Sequence, residues 1–272
     1  MIVIEKKIND VCGKLSNLLL RFRDINLNTL ISLPEQITTM LIGGNKLSSY
    51  LNKSINIITK DELNGVTTIG TWAFSYCTSL TNITIPDSVT TIDVYAFYGC
   101  TGLKSVIIGN GVTSIGGWAF YGCDSLTSVT MGDSVTTIGN SAFYNCRSLT
   151  SITIPDSVTT IGNSAFYNCR SLTSITIPDS VTHIGMSTFA YCTSLTSAVI
   201  GNSVASIGEY AFEACTSLTD IYVNPTTPPS LGDTFAIPHL CTIHVPIGSG
   251  DAYKSATNWS SIAYRIVEDI EI

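Results

Sequence analysis

Cysteine is the residue of this 272-residue chain whose type and spacing are best placed to do chemistry, because thiolates ligate zinc and form disulfides. Seven of the nine cysteines recur every 23 residues: Cys77, Cys100, Cys123, Cys146, Cys169, Cys192 and Cys215. No C-x-x-C pair is present, and in-register side chains on stacked parallel strands do not point at one another. We therefore predict packed free thiols, with no metal and no cofactor. Cys12 and Cys241 do not follow the 23-residue interval.

The three histidines are the second group of candidate metal ligands, since imidazole commonly binds metals. His239 and His244 flank Cys241, but the alternating pattern places Ile243 inward and His244 on the opposite face. We interpret these two and His183 as surface residues. The chain also has no phosphate-binding loop, nucleophile elbow or H-E-x-x-H motif. The sequence therefore predicts a protein that is not an enzyme.

The 23-residue interval extends to whole units of the form G-x-x-A-F-x-x-C-x-S-L-T-x-I-T-I-P-D-S-V-T-x-I. Residues 139–161 and 162–184 are identical except that Thr160 becomes His183. One such unit cannot bury its own apolar residues, so copies must stack into a continuous core. A ladder of phenylalanines is expected beside the cysteines in that core: Phe74, Phe97, Phe120, Phe143, Phe166, Phe189 and Phe212.

The local pattern predicts the elements of each coil. Ile152 and Ile154 alternate with Ser151 and Thr153, which is typical of a short strand with one buried face. Pro155 ends the strand because it has no N–H to donate. We predict a β-rich, right-handed leucine-rich-repeat solenoid, with a parallel sheet on one face of the 23-residue coils and short helical or 3-10 turns on the other.

The pattern L-x-x-I-x-I-P-x-x-V-x-x-I-G-x-x-A-F-x-x-C, present over residues 66–246, resembles the BspA-like (treponemal-type) leucine-rich repeat family. Members of that family are mostly bacterial surface and secreted proteins implicated in adhesion to host matrix or to other cells. The resemblance implies an interaction role. The first seven residues do not resemble a signal peptide, because Glu5, Lys6 and Lys7 stand where its apolar core should begin.

We divide the chain into four segments: an N-terminal helical or cap segment (1–50), a capping partial repeat (51–69), seven repeats (70–231) and a degenerate repeat with a C-terminal cap (232–272). Apolar residues within 4–25 alternate at intervals of four and three. This spacing predicts either an oligomerising helix or an amphipathic helix that folds back with residues 30–50 as a small cap domain.

The ends of the array carry weaker forms of the repeat. Residues 55–57 are expected to form the strand of the N-terminal partial coil, and residues 240–246 repeat the strand signature a last time. Phe235 stands in for the repeat phenylalanine. Tyr253 and Trp259 are expected to cover the apolar end, because a terminal coil would otherwise expose its core.

Charge and composition exclude some classes of binding partner. The net charge is −7, and residues 70–231 carry three Lys/Arg against nine Asp/Glu, which argues against nucleic-acid binding. Hydrophobic residues make up 44% of the chain, so it has ample apolar surface to bury. No apolar run reaches the length of a membrane span.

The outward strand positions form rows of small hydroxyl side chains, a surface suited to weak, multivalent contact with protein or glycan. The candidate binding residues are Ser151, Thr153, Ser174, Thr176, Tyr222, Arg147 and Arg170.

Two functions fit these observations. The first is a non-enzymatic binding or adhesion module at the cell surface or outside the cell. The alternative is a structural or receptor-binding component of a phage tail or fibre, oligomerised through residues 4–25 and carried outside on the virion.

Overall fold

The computed structural model describes residues 40–43, 46–50 and 56–271, which form a parallel β-solenoid of about nine turns with 23-residue coils. The predicted solenoid is therefore confirmed. The apolar pattern within 4–25, on which both N-terminal interpretations depend, lies outside the described residues, and its role stays a prediction.

The coils are built from short strands, with helices only at the C-terminal end of the described chain. In chain order the strands are β1 (Met40–Gly43), β2 (Lys46–Tyr50), β3 (Ile57–Ile58), β4 (Thr68–Ile69), β5 (Asn82–Ile85), β6 (Thr91–Ile92), β7 (Ser105–Ile108), β8 (Ser114–Ile115), β9 (Ser128–Thr130), β10 (Thr137–Ile138), β11 (Thr160–Ile161), β12 (Ser174–Ile177), β13 (His183–Ile184), β14 (Ser197–Ile200), β15 (Ser206–Ile207), β16 (Asp220–Val223), β17 (Ser230–Leu231), β18 (Thr242–Pro246) and β19 (Ile266–Ile270). Helix α1 (Gly250–Ser255) and a 3-10 helix (Ser260–Arg265) precede β19.

These strands form three sheets. The ten-stranded sheet has the order β1-β2-β4-β6-β8-β10-β11-β13-β15-β17, and all its strands after β2 have two residues. A four-stranded sheet, β3-β5-β7-β9, and a five-stranded sheet, β12-β14-β16-β18-β19, consist of longer strands apart from β3. Neighbouring coils pair in parallel with a register of 23 residues, as between Thr137 and Thr160, whereas β1 and β2 pair antiparallel. The repeat period in the sequence is thus the register of the sheets.

The core is a set of parallel ladders that run the length of the array. Every repeat phenylalanine has no exposed surface, and each stacks on the next with ring centroids 4.9 to 5.5 Å apart. The seven cysteines of the ladder are likewise buried, and none of them forms a disulfide. Burying a large apolar side chain contributes about 1.5–3 kcal/mol, so the stacking of coils supplies most of the stability.

The coil at residues 151–155 departs from the sequence prediction, because the expected strand around Ile152 and Ile154 is absent there. The same five residues at 174–178 begin β12, so the local sequence is not the cause. Hydrogen bonding to the preceding coil is weak at this seam, where the Thr150 amide lies 3.5 Å from the Thr127 carbonyl oxygen. The long-strand surface is consequently split into two sheets.

The N-terminal edge also differs from expectation in detail. The strand predicted at 55–57 is β3 at Ile57–Ile58, where Ile58 is buried and Ile57 is 54% exposed. Residues 40–43 and 46–50 continue the ten-stranded sheet as β1 and β2, so this part of the N-terminal segment is extended, not helical.

The C-terminal end is covered by aromatic side chains. Tyr253 on α1 and Trp259 before the 3-10 helix are buried, with their rings in edge contact at 4.9 Å. In the last coil, Ile243 and Val245 of β18 point inward as predicted, but Leu240 is 84% exposed. The register departs from 23 residues here: it is 24 between Ile207 and Leu231, after the proline-rich connection, and 22 between Ile221 and Ile243.

Candidate binding surfaces

The outer face of the five-stranded sheet carries part of the hydroxyl rows expected from the sequence. Ser174 and Thr176 point outward from β12 and are exposed. On β14 and β16 the two rows continue in register as Ser197 and Asp220 and as Val199 and Tyr222. Ser151 and Thr153 are also exposed, although they lie in the coil without a strand. Tyr222 is 36% exposed and is the large aromatic side chain of this face.

A shallow cavity of about 440 Å³ opens at the turn edge of this face, next to the coil that lacks a strand. Its lining includes Asp156, Thr176, Asp179, Val199 and Asn224. The Asp179 carboxylate accepts a hydrogen bond from the backbone N–H of Asn202 in the next coil, at 2.7 Å. The turn aspartates therefore help to join successive coils, and the cavity is bordered by hydroxyl, amide and carboxylate groups.

The two candidate arginines do not join the strand rows. Arg147 lies 3.8 Å from the exposed carboxylate of Asp124, the residue at the same position in the preceding coil. Arg170 donates from Nε to the side-chain oxygen of Asn168 at 2.7 Å. Arg147 thus engages the turn that follows the cysteine ladder and Arg170 a residue that precedes it, and the structure does not bring either to the hydroxyl face.

An interaction that the sequence analysis missed lies at the C-terminal end of the hydroxyl face. The imidazole of His244 stacks on the Tyr222 ring with centroids 4.4 Å apart. Its Nε2 lies 3.0 Å from a carboxylate oxygen of Asp220, and its Nδ1 lies 2.8 Å from one of Asp269. These residues stand on three adjacent strands, β16, β18 and β19. The interpretation of His244 as a plain surface residue was therefore incomplete.

The two carboxylates raise the pKa of His244. Burial alone would lower that pKa, but the hydrogen bonds to Asp220 and Asp269 and their negative charge outweigh it, so the pKa lies above its ordinary value. The pKa of Asp220 is lowered, first by the hydrogen bond from the Thr219 hydroxyl and then by that from His244. The cluster is therefore an ionic clamp across three strands.

The clamp predicts a pH dependence of stability. His244 contributes fully below about pH 6.5, and its contribution is lost as the pH rises through its raised pKa. Asp220 contributes above about pH 4 and loses its contribution as the pH falls through its lowered pKa. We expect the melting temperature to fall as the pH rises from about 6 through the raised pKa of His244, and this fall to be smaller in His244→Gln. The matched variant His183→Gln, whose imidazole contacts the Thr182 hydroxyl, should keep the full decrease; an equal decrease in all three proteins would contradict the prediction.

A second surface lies where the chain turns between the short strand and the ladder cysteine. The aromatic face, as we call it, comprises partly or largely exposed rings at three turn positions: Trp72, Tyr76, Tyr95, Tyr98, Trp118, Tyr121, Tyr144 and Tyr167. One ladder stacks Trp72 on Tyr95 at 4.1 Å. A second stacks the tyrosines from 98 to 167 at 4.4 to 4.9 Å. The structure thus brings aromatic residues of successive coils into contact.

The backbone of the turns explains this alignment. Trp72 and Tyr76 have φ angles of 61° and 55°, and the equivalent positions of later coils are also left-handed. Such values are unfavourable for non-glycine residues, but the turn amides are hydrogen-bonded to the next coil, as from Tyr76 N to Tyr98 O at 2.7 Å. Each turn is therefore held in one conformation, and equivalent rings fall into register.

The thiols of the cysteine ladder donate hydrogen bonds to backbone carbonyl oxygens. Cys146 donates from Sγ to the carbonyl oxygen of Phe120 at 3.2 Å, and Cys169 does so to Phe143 at 3.3 Å. Burial raises the pKa of Cys169 and of Cys215 to about 12. In the part of the chain that the structure describes, no three histidine, cysteine or acidic side chains converge as metal ligands.

This environment predicts unreactive thiols, because the thiolate is the reacting species and access is closed. In a Cys12→Ser chain at about pH 8, we expect a thiol-specific disulfide reagent to modify less than one of the eight described cysteines before unfolding. All eight should react in denaturant. Rapid release of several equivalents from the folded protein, followed by absorbance, would contradict the buried ladder.

Comparison with known proteins agrees with this architecture. The model of the BspA type leucine-rich repeat region matches residues 45–170 and 136–249, with six copies. None of the curated proteins matches the chain significantly. None of the helices in the described ranges is long and apolar enough to cross a membrane.

Solved structures show the same fold. A leucine-rich repeat protein from Bacteroides ovatus is 30% identical, with a TM-score of 0.60 over 74% of this chain and 55% of its own. This chain thus spans about half the length of that relative. The leucine-rich repeat protein of T. pallidum is 32% identical, with a TM-score of 0.59 over 64% of this chain and 82% of its own. The pneumococcal vaccine antigen PcpA, 19% identical with a TM-score of 0.53, covers 79% of this chain and 67% of its own and shares the fold. The chain belongs to the BspA-type leucine-rich repeat family.

Proposed function

We propose that this protein is a non-enzymatic binding or adhesion module whose hydroxyl face contacts a protein or glycan on another cell or on a matrix. The observation that carries the proposal is the group of exposed hydroxyls that Ser174 and Thr176 of β12 form with Ser151 and Thr153 of the adjoining coil. Leucine-rich repeat proteins are typically surface-associated binding modules, which supports this role and a location outside the cell or at its surface.

The form of the face favours many weak contacts over one deep site. Hydroxyl groups both donate and accept hydrogen bonds, so they suit sugars and polar protein surfaces alike. Tight interfaces usually depend on a few aromatic or arginine side chains, and on this face Tyr222 is the aromatic one. Repeated contacts along the coils would then add through multivalency.

A pair of matched variants tests this proposal. Thr153→Val and Thr176→Val remove two hydroxyls, and Val199 already occupies the same row, so the strands tolerate valine. We expect the double variant to lose at least about tenfold in affinity for matrix proteins or glycans that the parent chain binds on an array. Adding Tyr222→Val should weaken binding further.

The control makes the same change elsewhere. Thr113→Val and Thr136→Val remove exposed hydroxyls beside the ten-stranded sheet, each of which bonds a carbonyl of the preceding coil. This control should bind as the parent does. Binding that survives in the hydroxyl-face variant, or that falls equally in the control, would move the site away from Thr153 and Thr176.

A further inference from the structure

We propose that the aromatic face is a second binding surface, for an uncharged, proline-rich segment of a partner protein in the polyproline II conformation. The segment would lie along the solenoid axis, across successive coils. This surface lies at the turns, apart from the hydroxyl face, so the proposal does not rest on the function proposed above.

The exposure of the rings is the first argument. Trp72 is 45% exposed, Tyr76 59% and Trp118 36%, whereas the repeat phenylalanines are fully buried in the core. Aromatic side chains are enriched at the centres of interfaces because they bury much area at a low entropic cost. A row of exposed Trp and Tyr is therefore a surface with strong anchors, which the hydroxyl face lacks.

The arrangement of the rings favours an extended peptide. Tyr98 is at the centre, stacked on Tyr121 and in edge contact with Trp72, Tyr76 and Tyr95 at 5.5 to 5.9 Å. Where rings of the two ladders are in contact, their planes are 63° to 66° apart; the trough of this proposal is the line along the axis at which the two ladders meet. Grooves lined by aromatic side chains are the usual docking sites of polyproline II segments.

Glycines keep part of this trough open. Gly99 lies beneath the Tyr76 ring, where a Cβ atom would come within 2.7 Å of it. At Gly122, by contrast, a Cβ would meet only the Gly99 Cα, at 4.0 Å, so the space above this residue is free. Gly122 adjoins Tyr121 in the chain. The floor of the trough is thus low beside the tyrosine ladder.

Charge argues for a neutral partner. Over all seven repeats, the residues that occupy the three turn positions of the aromatic face include one charged side chain, that of Glu213. The rings themselves are therefore uncharged, and the cation bonded at one of these positions is Arg170, through the Asn168 side chain. A polyproline II segment carries free backbone carbonyls without internal hydrogen bonds, and phenolic hydroxyls are suited to donate to them.

The spacing of the ladder fits the same ligand. Polyproline II has three residues per turn and rises about 3.1 Å per residue, so one face recurs about every 9.3 Å. Neighbouring rings of the tyrosine ladder are 4.4 to 4.9 Å apart, and two coils therefore span nearly the same distance. Every third residue of the peptide would meet an equivalent tyrosine in alternate coils.

Hydrogen bonds from tyrosine and tryptophan to carbonyls of proline residues occur within this protein, inside its C-terminal cap. The proline-rich stretch at 225–229 is held by two aromatic residues, as Tyr253 donates its hydroxyl to the Pro225 carbonyl and Trp259 its indole N–H to the Pro229 carbonyl, both at 2.6 Å. Tyrosine and tryptophan donors here bind carbonyls of proline residues. The aromatic face presents the same two residue types, outward.

The test uses substitutions that introduce the residue found at the equivalent position of another coil. Trp118→Ser copies Ser141, the equivalent residue one coil later, and Tyr121→Ala and Tyr144→Ala copy Ala190. Because the fold accepts these residues at equivalent positions, the triple variant should fold, which circular dichroism will verify. The probe is a fluorescent proline peptide of about ten residues, roughly 31 Å long, with binding measured by anisotropy on the full chain.

We expect saturable binding of the proline peptide, at least about tenfold weaker in the triple variant and unchanged in the Thr153→Val/Thr176→Val variant. A glycine–serine peptide of equal length should bind much less tightly, since it lacks the preformed conformation. Absence of saturable binding, equal binding by the triple variant, or equal binding of the two peptides would each overturn the proposal. Binding of a neutral glycan polymer with no binding of the proline peptide would overturn it in favour of a carbohydrate partner.

Discussion

Replacing Phe143 with alanine is expected to lower the free energy of unfolding by about 3–5 kcal/mol, because it leaves a cavity in the centre of the phenylalanine ladder. The Phe143 ring is fully buried and stacks on Phe120 at 5.2 Å and on Phe166 at 5.4 Å. Both contacts are lost at once, and the backbone hydrogen bonds that hold the neighbouring coils prevent them from closing the gap. Denaturant unfolding followed by circular dichroism measures the change.

The neighbouring residue provides the control. Tyr144→Ala also deletes an aromatic ring that stacks on both sides, at 4.9 Å on Tyr121 and 4.4 Å on Tyr167, but this ladder is partly exposed. Its loss should therefore cost much less, about 1 kcal/mol. Equal destabilisation by the two variants would mean that the core ladder does not dominate the coupling between coils.

Replacing Trp259 with alanine is expected to be comparably damaging, although this residue lies at the end of the array. Its side chain is 1% exposed, packs on Tyr253, and donates to the Pro229 carbonyl. Truncation removes about 3–5 kcal/mol of packing and exposes the apolar end of the last coil. Because each coil contacts only its neighbours, unfolding should begin there and spread along the array.

Hydrogen exchange distinguishes the effect of Trp259→Ala from that of Phe143→Ala. In Trp259→Ala, amides of β18 and β19 should lose protection first, whereas in Phe143→Ala the loss should centre on the coils around residue 143. Trp259→Phe retains a ring but not the indole N–H, so its cost should be intermediate. Uniform loss of protection along the whole array in Trp259→Ala would contradict a terminal cap and indicate one cooperative unit.

The repeat itself was readable from the sequence because it is a one-dimensional property. Identical spacing of the phenylalanine and cysteine ladders requires that equivalent residues stack, since no single coil can bury them. The same spacing then sets the parallel register, as Thr137 opposite Thr160 shows. Fold class, coil length and inward-facing residues follow from that period alone.

Where the repeat weakens, the sequence was a poorer guide. The register changes to 24 and then to 22 residues around the last coil, and Leu240 of the strand signature at 240–246 is exposed. The coil at 151–155 shows the limit most clearly, because the same residues form a strand at 174–178. Whether a strand forms there depends on hydrogen bonds to a neighbouring coil, not on local propensity.

The surfaces were decided by tertiary structure. His244 was read as an exposed residue, but its partners Asp220 and Asp269 lie 24 and 25 residues away and meet it only when three strands align. The aromatic face likewise forms because left-handed turns place rings of successive coils in contact. Periodicity in the sequence thus determined what is buried and how the coils stack. Contacts between coils, which depend on register and turn geometry, decided what the outside of this protein presents.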